Sequence, residues 1–180
     1  MFRLHEIETR DGRSKCINVV IDTPKGSRNK YKYDEVLGLF RLSRVLPVGA
    51  QFPYDFGSIP RTCADDGDAL DVLVLMEEPT FVGCLVTVRL VGVLRARQRK
   101  GSKMIRNDRL IAVAETSVNR PKIHSLDDVG GEELKQIEHF FASYNRAQRR
   151  VFVPAGRAGP QAAEVLLAAA VRAFVRCRRP

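Results

Sequence analysis

ADDGDALDVLVLMEE, residues 64–78, opens as an acidic turn and closes as an apolar, β-branched strand. Asp66, Asp68 and Asp71 flank Gly67 at the mouth of that strand. Carboxylates this close repel one another, and they stay ionised together only where a cation offsets the repulsion. Hard carboxylate oxygens favour magnesium or manganese over zinc. The glycine permits a tight turn that aims several carboxylates at one point. The stretch is not an EF-hand loop, which needs a Glu at its twelfth position and flanking helices. From the acids alone, a metal-binding turn and a solvated acidic surface turn both stay open.

Strands flank this turn on both sides. CLVTVRLVGVLRARQ (84–98) alternates like a long strand bent at Gly92, and RLIAVAET (109–116) follows a basic loop. Upstream, CINVVID (16–22) is apolar and β-branched, and TPKGSRN (23–29) is a turn. KYKYDE (30–35) and LFRLSRVL (39–46) form an antiparallel hairpin around Gly38, and they carry Lys30 and Arg44. Residues 47–62 are punctuated by Pro47, Gly49, Pro53, Gly57 and Pro60, so they read as a loop that packs through Phe52, Tyr54 and Phe56.

No helix separates the strands up to residue 116, which implies a closed or nearly closed antiparallel barrel. The remainder changes character. Leu126, Asp127 and Asp128 open a short turn. Leu134, Ile137, Phe140, Phe141 and Tyr144 then recur at helical spacing between Glu132 and Gln148. A second helix runs from Pro160 to Cys177, with an expected apolar stripe of Val165, Leu166, Ala169, Ala173, Phe174 and Cys177. One domain spanning 1–180 is expected.

Composition narrows the function classes. The chain of 180 residues is 44% hydrophobic and carries a formal charge of +9, which implies affinity for anions. The cations cluster at Arg95, Arg97, Arg99, Lys100, Lys103, Arg106 and Arg109, and again at Arg172, Arg176, Arg178 and Arg179. No apolar run reaches the roughly 20 residues of a membrane span. The N-terminal MFRLHEIETRDGR has no signal-peptide core, so a cytoplasmic location and no membrane partner are expected. The four cysteines are scattered and no HExxH motif occurs, which argues against zinc. No RNA-binding signature with paired aromatics is present, so a nucleic-acid partner is not expected.

Taken in order, VVID, NKYKYD, LFRLSRVLP, FPYDFGSIP, DGDALDVLVL, GVL at 92–94, RLIAV and HFFASYN resemble the soluble family I inorganic pyrophosphatases from about residue 16 to residue 150. The resemblance implies a mainly β fold with α, a five-stranded closed OB-like barrel with two packed helices. It implies magnesium-dependent hydrolysis of pyrophosphate to two phosphates, commonly in hexamers or dimers. Asp66, Asp68 and Asp71 match the metal-binding carboxylates of the family, and Asp68 matches the base toward the attacking water. Lys30, Arg44, Arg109 and Tyr144 fall where the family grips phosphate. Asp22 sits where a Glu is usual, and Arg109 replaces a Lys.

The chain also departs from the family. An acid pair expected in the loop after GVL is replaced within Arg97-Gln98-Arg99-Lys100-Gly101. Asn107 stands where a further metal-binding acid is expected, with Asp108 next door. Two family tyrosines are Phe52 and Phe56, a hairpin Glu is Lys32, and a Lys is Asn145. Two alternatives therefore stand beside the leading expectation. One is a catalytically weakened or inactive protein of the same fold that binds phosphate-rich ligands. The other is a phosphohydrolase acting on an organic diphosphate.

Overall fold

Short β-branched runs become strands wherever a neighbour can satisfy their backbone groups. A computed structural model of the chain describes residues 3–14 and 16–177, apart from the side chains of Lys100 and Cys177. The Cys177 side chain of the expected helix stripe, with Arg178 and Arg179, lies outside the described residues. The strands are β1 (Ile17–Thr23), β2 (Asn29–Asp34), β3 (Leu39–Val45), β4 (Asp55–Ser58), β5 (Asp71–Leu75), β6 (Leu85–Lys100), β7 (Lys103–Arg106), β8 (Arg109–Ala114) and β9 (Phe152–Ala158). Two α-helices follow the eighth strand, α1 (Gly131–Ala147) and α2 (Pro160–Cys177), with β9 between them.

The main sheet runs in the order β1-β4-β5-β8-β6-β7, with β9 also on β6. A further antiparallel pairing joins β1 to β6, Ile17 opposite Val88. The hairpin β2–β3 forms its own two-stranded sheet, with Lys30 directly across from Arg44. Leu126–Asp128 is a 3-10 turn closed by reciprocal bonds between Ser125 and Asp128.

The core lies on both faces of the central strands. Val72 and Val74 belong to the cluster that receives Ala163, Leu167 and Ala170 of α2. Leu73 and Leu75 belong to the cluster of Leu134, Ile137 and Phe141 of α1. Alternate side chains thus serve opposite layers, as a strand's period of two requires. Each fully buried Leu or Val contributes roughly 1.5–3 kcal/mol.

Several sequence expectations change. The β5–β8 pair is parallel, Val72 beside Leu110, so the sheet is mixed rather than wholly antiparallel. Parallel neighbours need a long connection, and here the strand β6 with its β6–β7 hairpin supplies it instead of a helix. The basic loop after GVL is itself that hairpin, Arg97 opposite Arg106. The loop 47–62 contains the fully buried strand β4, and β9 was not anticipated. On α2 the buried face is Ala163, Leu167 and Ala170, while Val165 of the expected stripe is 69% exposed. The α1 stripe holds as read, with Leu134, Ile137 and Phe141 buried.

Gly92 marks a register shift between β6 and β8. A Cβ there would collide with the Leu126 side chain and stand 2.6 Å from the Ala158 carbonyl oxygen. Backbone cannot retreat as a flexible side chain can. Gly92→Ala is expected to lower unfolding free energy by about 1–3 kcal/mol, read by urea denaturation. An unshifted midpoint would show that β9 gives way freely.

Candidate functional site

The sheet register builds the site. Because Val72 pairs with Leu110 in parallel, Asp71 at the start of β5 stands beside Arg109 at the start of β8. Ser58 lies opposite Asp71 on β4. The turn before β5 brings Asp66 and Asp68 to the same end. All seven residues singled out from sequence, Lys30, Arg44, Asp66, Asp68, Asp71, Arg109 and Tyr144, line one cavity of about 460 Å³. Asp22, Lys32, Gln98, Asn107 and Arg150 line it too.

One wall is acidic. Asp66 accepts the backbone N–H of Asp68 at 3.1 Å, which shapes the turn around Gly67, whose φ is 86°. Asp68 takes the Lys32 ammonium on both oxygens, at 2.7 and 2.9 Å. Asp71 takes Arg109 Nη1 at 2.8 Å. Burial is the main force raising Asp66 above the usual carboxylate range, with Asp71 and Asp68 adding repulsion. Asp22 is pushed up to about 8, chiefly by burial and then by Asp71, against Lys30 and the Ser58 hydroxyl. The acids crowd this end of the sheet, yet among the described residues no three His, Cys, Asp or Glu groups gather tightly enough to hold a metal ion as they stand.

The facing groups are cationic and aromatic. Lys30 Nζ sits 4.9 Å from the centre of the Phe56 ring and 5.5 Å from that of Tyr144. Arg109 lies against Phe141 and Phe152 at 5.4 and 5.9 Å. It is only 6% exposed. Its Nη1 also donates to the Asn107 side-chain oxygen, and the Asn107 amide donates to Gln98. The Nε atoms of Arg44 and Arg109 are buried without a hydrogen-bond partner. A buried N–H donor without a partner is costly and uncommon.

Two sequence questions close here. Asp108 does not replace the missing acid at 107. Its side chain is 2% exposed and pairs with Arg106 at 2.5 Å, and it accepts the Ala96 N–H at 3.0 Å. It turns away from the cavity, and Asn107 faces in. Arg150 was missed because it follows α1 in a stretch that reads only as a solvated basic run. Its backbone N–H is tied to the Asn145 carbonyl at 3.0 Å, which brings it to the cavity.

The buried Asp22 sets a pH dependence. Folded, it keeps its proton up to about pH 8, whereas its ordinary value is 3.8. The folded state therefore binds a proton that the unfolded chain has released, and stability falls as pH rises across that window. Metal-free protein should melt at progressively lower temperature from pH 5 to pH 8 because of this group. Asp22→Asn should flatten that slope in a melting series with a chelator present. An undiminished slope would remove Asp22 as its source.

With this geometry in place, comparison with known proteins is direct. The family model described as inorganic pyrophosphatase matches residues 19–174. An inorganic pyrophosphatase of Synechocystis sp. is 40% identical over 139 residues, 77% of this chain and 80% of the relative. One from Methanosarcina acetivorans is 39% identical over 150 residues, 83% and 87% of the two chains. The crystal structure of the Thermus thermophilus inorganic pyrophosphatase superposes with a TM-score of 0.88 at 32% identity, covering 97% of this chain and 99% of that one. That of the Neisseria gonorrhoeae enzyme gives 0.85 at 26% identity, over 96% and 98%. Family match, identity and superposition agree over most of the chain, and the chain belongs to the inorganic pyrophosphatase family.

Proposed function

We propose that the protein hydrolyses inorganic pyrophosphate to two phosphates, with Asp66, Asp68 and Asp71 as metal ligands and magnesium as the metal. One observation carries the reading: crowded carboxylates and the cations Lys30, Arg44 and Arg109 line the same cavity. Burial, with Asp71 adding repulsion, holds Asp22 and Asp66 above the ordinary carboxylate value, and a bound cation would offset both. Hard oxygen donors of this kind fit a hard divalent cation. Magnesium, when bound, supplies Lewis-acid charge that lowers the pKa of water and spreads the charge of the diphosphate.

The chain's own groups do the rest. Arg44 and Arg109 set fixed guanidinium charge in the cavity wall for phosphate oxygens, and Lys30 and the Tyr144 hydroxyl hold the leaving phosphate. Lys30 against two rings and Arg109 inside the sheet are held in place before substrate arrives, which lowers the cost of ordering. Asp68 orients the attacking water and takes its proton. A closed five-stranded barrel in a single domain goes with this reading. The circuit of pairings from β1 through β4, β5, β8 and β6 back to β1 supports it. Among the described residues no helix is long and apolar enough to cross a membrane. Cys16 and Cys84 are free thiols, which suits a cytoplasmic, reducing location.

A second reading, binding of phosphate-rich ligands with weakened turnover, is supported by the outer face of β6 and β7. Arg95, Arg97, Arg99, Lys103 and Arg106 are all exposed there.

Phosphate release from pyrophosphate with magnesium tests the first reading, and Asp68→Asn should lower kcat by about 10²–10⁴-fold with the fold intact. Turnover that survives the substitution would take Asp68 out of the proton transfer. No release from the wild-type protein between pH 6 and 9 would favour the second reading. Association with a phosphate polymer should then weaken steeply as salt rises.

A further inference from the structure

Lys30 and Lys32 stand two residues apart on β2, and both line the cavity. Their ammonium groups part company. Lys30 is taken up by the rings of Phe56 and Tyr144. Lys32 reaches Asp68 and covers both carboxylate oxygens. Arg41, directly across from Lys32 on β3, is drawn aside by Asp34 at 3.1 Å. The Gln98–Asn107 side offers no carboxylate to pull Lys32 away, since those two amides bond each other.

The acidic wall is thus flanked by two cations of opposite character. Arg109 on Asp71 is embedded, with side chains 7% and 23% exposed. Lys32 on Asp68 is open, with side chains 58% and 57% exposed. An embedded guanidinium with further backbone and amide acceptors stays put. An exposed ammonium on a flexible stem exchanges readily with water and ions. A divalent cation approaching Asp68 meets an ammonium already on both oxygens, and two cations cannot occupy them together.

We propose that Lys32 is a displaceable internal counter-cation that competes with the divalent metal for Asp68 and sets the metal concentration at which the acidic wall fills. This rests on the reading of Asp66, Asp68 and Asp71 as metal ligands. It assigns Lys32 a regulatory role at that site. The ammonium holds the carboxylate oriented without metal, and it swings toward the cavity mouth when metal takes its place. Screening by salt weakens the competition, because both groups are solvated.

The test is a calorimetric magnesium titration at fixed ionic strength on the full chain, with wild type, Lys32→Met, Lys32→Arg and Lys32→Glu. Melting in a chelator serves as the folding control. Lys32→Met should bind magnesium about two- to fivefold tighter, the range of an exposed ion pair. Lys32→Glu should gain more, and Lys32→Arg should stay near wild type. Magnesium binding in wild type that is equal or weaker in Lys32→Met overturns the competition and leaves the metal-ligand reading standing. Binding that appears only in Lys32→Met and Lys32→Glu supports it. No binding in any variant overturns both.

Discussion

Asp71 and Arg109 meet at 2.8 Å on neighbouring parallel strands, and the cavity is organised around that contact. Arg109 is buried and Asp71 half-buried, so losing the acid strands a guanidinium in a poor solvent. The pair exists because β5 and β8 run in parallel with Val72 beside Leu110. An antiparallel register would carry the arginine to the opposite end of the sheet. On the other side, the β1–β4 and β4–β5 pairings bring Asp71 toward Asp22, which is raised by burial first and then by Asp71. Strand topology therefore decides which charged groups meet at this end of the sheet.

Much of this was legible in the sequence, for physical reasons that differ by element. The hairpin with Lys30 and Arg44 announces itself because alternation and a glycine turn are local properties. The α1 stripe is legible because large side chains alternate with charged ones. The phase of α2 is not legible that way. Ala162, Ala163, Val165, Leu166, Leu167 and three alanines run almost around the helix, so apolarity alone fixes no face. The small Ala163 and Ala170 face inward because close approach to the sheet selects them.

β4 was hidden by its own composition. Pro53 and Gly57 look like loop punctuation, yet Gly57 sits inside a strand because a Cβ would stand 2.8 Å from Val19 Cγ1 and press on the Val20 carbonyl. The parallel pair was hidden because strand order is a property of the whole chain. At the site, spacing marked Asp66, Asp68 and Asp71, the family resemblance added Lys30, Arg44, Arg109 and Tyr144, and all seven line the cavity. Neither gave a sign that Lys32 would sit on Asp68 or that Asp22 would hold a proton, since both depend on burial and on neighbours distant in sequence.

The length of β6 has a consequence of its own. Its inner half carries Val88 and Val91, both completely buried. Farther along, Gln98 lines the cavity, and its tip turns into β7 in solvent. One continuous ribbon thus runs from the most constrained part of the molecule to the least. Mutation at the outer end can reshape the cavity rim while the inner end keeps its packing, so this scaffold lets new binding preferences evolve without placing the fold itself at risk.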